Sequence, residues 1–227
     1  MKLLAIETAT EVCGVALTEN NHLVAEYRLN QKNIHNEKLV ATIQYLINET
    51  QWCLKDLDGI ALTIGPGSFT GLRIGIAVSK GLAFSLDLPL VGVNTLDAMA
   101  YGTQFWSGKI CTLIKARAEE AYFALYDKKF ERLNQCSDYQ IIDVESIGQY
   151  LTEETLVIAY PQNLISTAMT DKIVVSHSGD AVISPFTVAR LGFLKMQEHD
   201  SEDLESLEPF YLKEFKPKRK IYYHDRH

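Results

Sequence analysis

The feature that most restricts what this chain can fold into is the change of apolar period within its first hundred residues. Residues 2–6 and 12–17 read as strands separated by a polar loop, and a third strand, 23–29, follows the turn at Glu19-Asn20-Asn21. Over residues 37–50 the period lengthens: Leu39, Val40, Ile43, Leu46 and Ile47 recur at helical spacing, which predicts an amphipathic helix. Asn36, ahead of His35, is the better candidate to cap it. A short apolar strand over 59–64, a glycine-rich turn, a helix over 72–86, a strand over 89–93 and a helix over 95–101 complete the order β-β-β-α-β-α-β-α. Such alternation predicts an α/β domain whose mixed sheet has an antiparallel meander and later parallel strands.

The chain then starts again. Lys2-Leu3-Leu4-Ala5-Ile6 is echoed by Lys109-Ile110-Cys111-Thr112-Leu113, Ala16-Leu17 by Ala124-Leu125, and the turn near Asn20 by Asp127-Lys128-Lys129, at a shift of 107 to 108 residues. Two halves on one plan would produce this echo, although any two hairpins share some of it. The second half continues with an expected helix at 144–151, strands at 155–159 and 172–176, and a helix near 185–198.

With 47% hydrophobic and 10% aromatic residues over 227 positions, the chain can bury a core without disulfides or a structural metal. Its net charge of −7 argues against a free-standing nucleic-acid binder. Residues 198–208 hold six acids, and 213–227 hold six bases against two acids, a pattern expected of a solvated surface or a frayed terminus. Cys13, Cys53, Cys111 and Cys136 form no C-x-x-C pair and are expected to be reduced and mostly buried. Arg73 and Lys80 interrupt the best apolar stretch, and the opening apolar run is too short for a signal peptide, so no membrane span and a cytoplasmic location are expected.

Gly65-Pro66-Gly67-Ser68-Phe69-Thr70-Gly71 lies between a strand and a helix, where backbone N–H groups can cradle a phosphate. Its spacing matches neither a G-x-x-x-x-G-K-[ST] loop nor G-x-G-x-x-G. The competing reading makes Gly65, Gly67 and Gly71 structural, allowing close backbone approach. The following helix is apolar nearly all round, with Gly75 and Gly81 keeping it slim, which suits either full burial or a partner surface. Catalytic constellations are thin. No H-E-x-x-H or G-x-S-x-G is present, and the one close histidine pair, His224 and His227, lies in the tail.

The run from Gly65 to Gly75 resembles the TsaB (YeaZ) family, and the likeness extends through Lys80-Gly81-Leu82-Ala83 and Pro89-Leu90-Val91-Gly92-Val93. Ile6-Glu7-Thr8-Ala9-Thr10-Glu11 is similar to that family's I-D-T-S-T-E, and His35-Asn36-Glu37 to its H-S-E. Ala116-Arg117-Ala118-Glu119-Glu120-Ala121-Tyr122 and Pro209-Phe210-Tyr211-Leu212-Lys213 resemble two further motifs. The resemblance implies two ribonuclease-H-like halves of the actin-like ATPase superfamily, divided into 1–104 and 105–205, with 206–227 returning to the first. It also implies a non-catalytic scaffold in the synthesis of threonylcarbamoyladenosine on tRNA, partnered by TsaD and TsaE, or by itself as a homodimer when alone. ATP would then belong to the complex, tRNA would be met only within it, and this chain would need no cofactor or metal.

Several residues bear on that implication. His35 is followed four positions later by Leu39, so the H-x-x-x-H metal pair of TsaD relatives is incomplete. The phosphate loops of the superfamily would correspond to Glu7–Thr10, which lacks glycine, and to residues 115–120, where Glu119 replaces a common glycine. Glu7 and Thr8 are therefore weak nucleotide-site candidates. Leu39, Ile43, Leu46, Leu72, Ile76 and Leu82 are the expected partner-interface anchors. The alternatives are an autonomous nucleotide-binding ATPase and, more remotely, a metal-dependent protease.

Overall fold

Two sheets of matching topology are stacked with helices inside and outside them. The computed structural model describes residues 1–103, 106–130, 132–165, 171, 173–175, 182–199 and 203–210. The basic tail expected at 213–227 lies outside the described residues, as do Lys172 and Ser176 at the ends of one expected strand.

The first sheet contains β1 (Lys2–Glu7), β2 (Val12–Glu19), β3 (His22–Asn30), β4 (Gly59–Gly65) and β5 (Leu90–Asn94), in the order β3-β2-β1-β4-β5. The second contains β6 (Gly108–Lys115), β7 (Glu120–Lys129), β8 (Arg132–Gln135), β10 (Thr155–Tyr160) and β11 (Ile173–Val175), in the order β11-β10-β6-β7-β8, with β9 (Gln140–Asp143) paired to β7. Reversed, the second order repeats the first. β1 is antiparallel to β2 and parallel to β4, as β6 is to β7 and to β10. The registers repeat as well: Lys2 faces Glu19, and Lys109 faces Asp127, which are the same positions shifted by 107 and 108. The echo is a true structural duplication, and the expected two-sheet α/β class holds.

The helices are α1 (His35–Glu49), α2 (Phe69–Leu86), α3 (Thr95–Tyr101) and α4 (Pro185–Gln197). Strand alternation sorts the core into layers. Leu4, Ile6, Val15, Leu17, Ile60 and Leu62 face outward to α1 and α2. The intervening Ala5, Ala16 and Ala61 face a middle layer, built from α3 and α4, that is shared with Ile110, Ala124, Tyr126 and Ile158 of the second sheet. Cys111, Leu113, Phe123 and Val157 face the far side. Small residues on the inner face of the first sheet let α4 come close. A Cβ on Gly14 would stand 2.9 Å from Pro185, and one on Gly192 would collide with Ala61. The helix expected in the second half therefore packs on the first sheet. Buried Lys128 of β7 caps the carbonyl end of α3, donating to Tyr101 O at 3.1 Å and to Thr103 O.

Several local expectations change. α1 begins at His35 with Ile34 as its cap residue and no side-chain cap; Asn36 already lies in the first turn. The His35 ring anchors that start instead, bonding Val12 O through Nε2 at 2.9 Å. A carbonyl only accepts, so Nε2 carries the proton. α2 begins earlier than expected because Ser68 Oγ accepts from Gly71 N at 3.2 Å, a side-chain N-cap. The segment expected as a helix at 144–151 is a 3-10 helix, Val144–Gln149, capped by Asp143. Only Cys13 and Cys111 are buried; Cys53 and Cys136 are exposed. By length and hydropathy alone α2 could also cross a bilayer, but its Gly71, Leu72, Gly75, Ile76, Ser79 and Ala83 are buried against this protein.

Candidate functional site

A cleft of about 410 Å³ opens where the strand ends of the two halves meet. The first half contributes Thr10 and Glu11 from the β1–β2 loop, Lys32 and His35 from the approach to α1, and Ser68, Thr70 and Ile74 from the start of α2. The second half contributes Ile114 and Lys115 at the end of β6, with Tyr160 and Pro161 at the end of β10. Glu11 joins the two sides. Its backbone N–H donates to the Tyr160 hydroxyl at 2.9 Å, and its carboxylate pairs with Lys32 at 3.3 Å.

The glycines are used for backbone contact with the β1–β2 loop. Ser68 N donates to Ala9 O at 2.7 Å. A Cβ on Gly67 would collide with Ala9 O, one on Gly71 with Thr8 O, and one on Gly75 with the Thr8 hydroxyl. Gly65, at φ +115°, sits in the left-handed region, and a Cβ there would come within 3.0 Å of Phe210 O. Phe210 N in turn donates to Ile64 O at 2.7 Å, and Leu207 is buried with the first sheet's outer core. One side of this loop and helix is thus packed on the protein's own β1–β2 main chain, while Ser68, Thr70 and Ile74 keep a side open to the cleft.

Glu7 and Thr8 do not line the cleft. Glu7 is fully buried at the end of β1, where one carboxyl oxygen accepts from Thr10 N at 3.1 Å and from Thr10 Oγ1 at 3.0 Å. The other oxygen is sealed from solvent near Thr63. Burial pushes this carboxyl up from 4.5 to about 7, the Thr63 and Thr10 hydrogen bonds opposing it only in part. Burial, with the Glu7 charge as a smaller cause, also raises the neighbouring Cys13 thiol to about 11. The second loop closes on itself. Ala116 N donates to Glu120 O at 2.9 Å and Glu120 N to Arg117 O at 2.7 Å, with Ala118 at positive φ. Two N–H groups that could meet an anion are already paired. The residues present therefore do not fit a nucleotide phosphate held between two glycine-type loops. Among the described residues, no group of three or more His, Cys, Asp or Glu side chains is arranged to hold a metal.

The expected interface anchors divide sharply. Leu39, Ile43, Leu46, Leu72 and Ile76 are buried in the first sheet's outer core, and Leu82 packs at its edge. This corrects their assignment as surface anchors: a helix laid on a sheet spends its strongest apolar stripe on that sheet. The uncovered face of α2 carries Phe69, Arg73, Ala77, Gly81 and Phe84, and that of α1 carries Val40 and Tyr45. Phe84 is 82% exposed, and a Cβ on Gly81 would meet nothing within 4 Å. Sequence reasoning missed Phe84 because an all-round apolar helix gives no phase; only the position of Gly71 and Gly75 against Thr8 fixes which side is inward. Lys115, the first residue of the expected second loop, does line the cleft, but Tyr160 was missed, because nothing local marks a strand end as one wall of a cleft.

A family model described as "TsaD: tRNA N6-adenosine threonylcarbamoyltransferase" matches residues 22–215. The chain is similar to the tRNA threonylcarbamoyladenosine biosynthesis protein TsaB of Bacillus subtilis, 28% identical over 220 residues that cover 94% of each chain. It is 38% identical to the Escherichia coli protein of that name over 130 residues, 56% of each. Among solved structures, YeaZ from Pseudomonas aeruginosa superposes with a TM-score of 0.81 at 25% identity, covering 93% of this chain and 99% of that one.

Proposed function

Because the chain belongs to the tRNA N6-adenosine threonylcarbamoyltransferase family, and within it to TsaB (YeaZ), we propose that it is the non-catalytic scaffold subunit of the bacterial complex that makes threonylcarbamoyladenosine on tRNA. Its partners in this reading are TsaD, which would perform the transfer, and TsaE, and it would work in the cytoplasm. The observation that carries the reading is the uncovered apolar face of α2. Phe84 stands 82% exposed on a helix whose other side seals the core, and the bare Gly81 one turn before it lets a neighbouring helix come near. Packing there against TsaD helices would bias TsaD toward its active arrangement without any chemistry by this chain. The packed glycine loop and closed 116–120 turn also support a subunit without its own nucleotide chemistry. Residues 1–104 and 105–205 would be its two domains, with 206–227 returning to the first; tRNA would be met only in the assembled complex.

The test is co-purification with TsaD of Phe84→Glu, in parallel with Leu82→Glu. Phe84→Glu leaves the fold intact and lowers TsaD affinity by about tenfold or more, whereas Leu82→Glu also unfolds, because Leu82 packs on the core. If Phe84→Glu binds TsaD as the parent does, the α2 face is not the TsaD surface. Turnover of ATP by the isolated chain would overturn the scaffold reading itself.

A further inference from the structure

We propose that a second cavity, at the rim of the layer shared by the two sheets, binds a zwitterion with an aliphatic side chain, held between Asp97 and Arg132. The cavity, of about 620 Å³, shares no residue with the cleft or with the uncovered face of α2, so it stands apart from the scaffold reading. Its volume lies within the range of small-molecule sites, which runs from about 300 to 1,000 Å³. Its walls come from α3, β7, β8 and α4. α4 packs on the first sheet and β7 and β8 belong to the second, so an occupant would touch both halves.

The chemistry of the walls selects the occupant. Asp97 of α3 is the one acid lining the cavity, and Arg132, exposed at the first position of β8, is the one base. No ion pair joins these two side chains. Leu133, Leu191 and Leu194 supply apolar wall, and Leu194 is 42% exposed. The acid is held in place. Tyr126 Oη donates to Asp97 Oδ1 at 2.7 Å, and the Tyr139 hydroxyl is 2.8 Å from both carboxyl oxygens. Two hydroxyl donors leave lone pairs on a carboxylate that can accept about four bonds, and Oδ2 meets only the shared Tyr139 proton. Burial raises the Asp97 carboxyl above its ordinary value, and the Tyr126 and Tyr139 bonds and the Lys195 charge oppose that rise. An ammonium group at Oδ2 would oppose it further. One negative wall, one positive wall and leucines around them match the ammonium, carboxylate and side chain of an aliphatic amino acid or dipeptide.

The experiment titrates the full chain with L-leucine and with L-leucyl-L-leucine and follows its backbone amide resonances. The controls are isopentylamine, which is leucine without its carboxylate, and isocaproate, which is leucine without its amine. The expected result is a Kd of about 1 mM or tighter for at least one zwitterion. Its shifts should fall within residues 97–101, 132–135 and 191–194, and both controls should bind about tenfold or more weakly. Binding by leucine identifies a free amino acid, and binding by the dipeptide alone identifies a peptide; either supports the site. Arg132→Gln, at an exposed position, should weaken the zwitterion about tenfold and leave isopentylamine unchanged. Asp97→Asn should weaken it equally and leave isocaproate unchanged. No shift in the cavity at about 10 mM of either zwitterion overturns the proposal. Controls that bind as well as leucine overturn it too, leaving an apolar hollow without charge recognition.

Discussion

At the scale of single residues, Glu7 is a carboxyl sealed from solvent at the end of β1. A carboxyl raised from 4.5 to about 7 binds its proton more tightly in the folded chain than in the unfolded one. Its stability contribution is therefore fully present below about 4.5, falls as pH rises toward 7, and levels off above that. Glu7→Gln keeps an acceptor for Thr10 and carries no charge. Relative to the parent, it should gain stability between pH 4.5 and 8 by about 3 kcal/mol, read from denaturant midpoints at each pH. An equal pH slope in both proteins would mean that Glu7 is not held neutral. The sequence showed a glutamate at the end of a strand, where a phosphate-loop acid could stand. It could not show that Thr10, three residues on, folds back over that acid and closes it from the cleft, because burial is set by Ser68 and Ala9 across the fold.

At the scale of elements, α2 carries glycines with opposite roles. Gly75 presses on Thr8, so Gly75→Ala should push the helix off the β1–β2 loop and cost about 1–3 kcal/mol. A Cβ at Gly81 would touch nothing, so Gly81→Ala should stabilise the isolated chain by about 1 kcal/mol through helix propensity and, on the proposed scaffold reading, weaken TsaD binding. Thermal melts and a binding titration on both variants would check the pair; stabilisation by Gly75→Ala would show that the contact with Thr8 is slack. The strands and helices were legible because their periods are strong, and the duplication because β1 and β6 keep the same hydrophobic order. Three things were not legible. β8 and β9 are four-residue strands with no period to detect. The 3-10 segment Val144–Gln149 is as apolar as a helical turn but too short to propagate. The true outer face of α2 depends on contacts some 60 residues away in sequence.

At the scale of the whole molecule, the two halves are not separable by cutting the chain between them. α4 follows β11 in sequence yet packs on β1, β2, β4 and β5, under the alanines and glycines of the first sheet's inner face. A fragment of residues 1–104 should thus fail to give a cooperative melt, and a peptide of residues 182–199 added in trans should restore protection of β1 and β4 amides from hydrogen exchange. A fragment that melts cooperatively alone would show that α4 is an accessory to the first half. The placement of α4 also has a consequence on the ribosome. At roughly 5–20 residues per second, roughly 5–20 s separate synthesis of the first sheet from synthesis of the helix that covers its inner face. During that interval the nascent chain presents a half-covered β-sheet to its surroundings. Chaperone demand for this protein should therefore track translation speed through its second half more closely than the equilibrium stability of the finished fold.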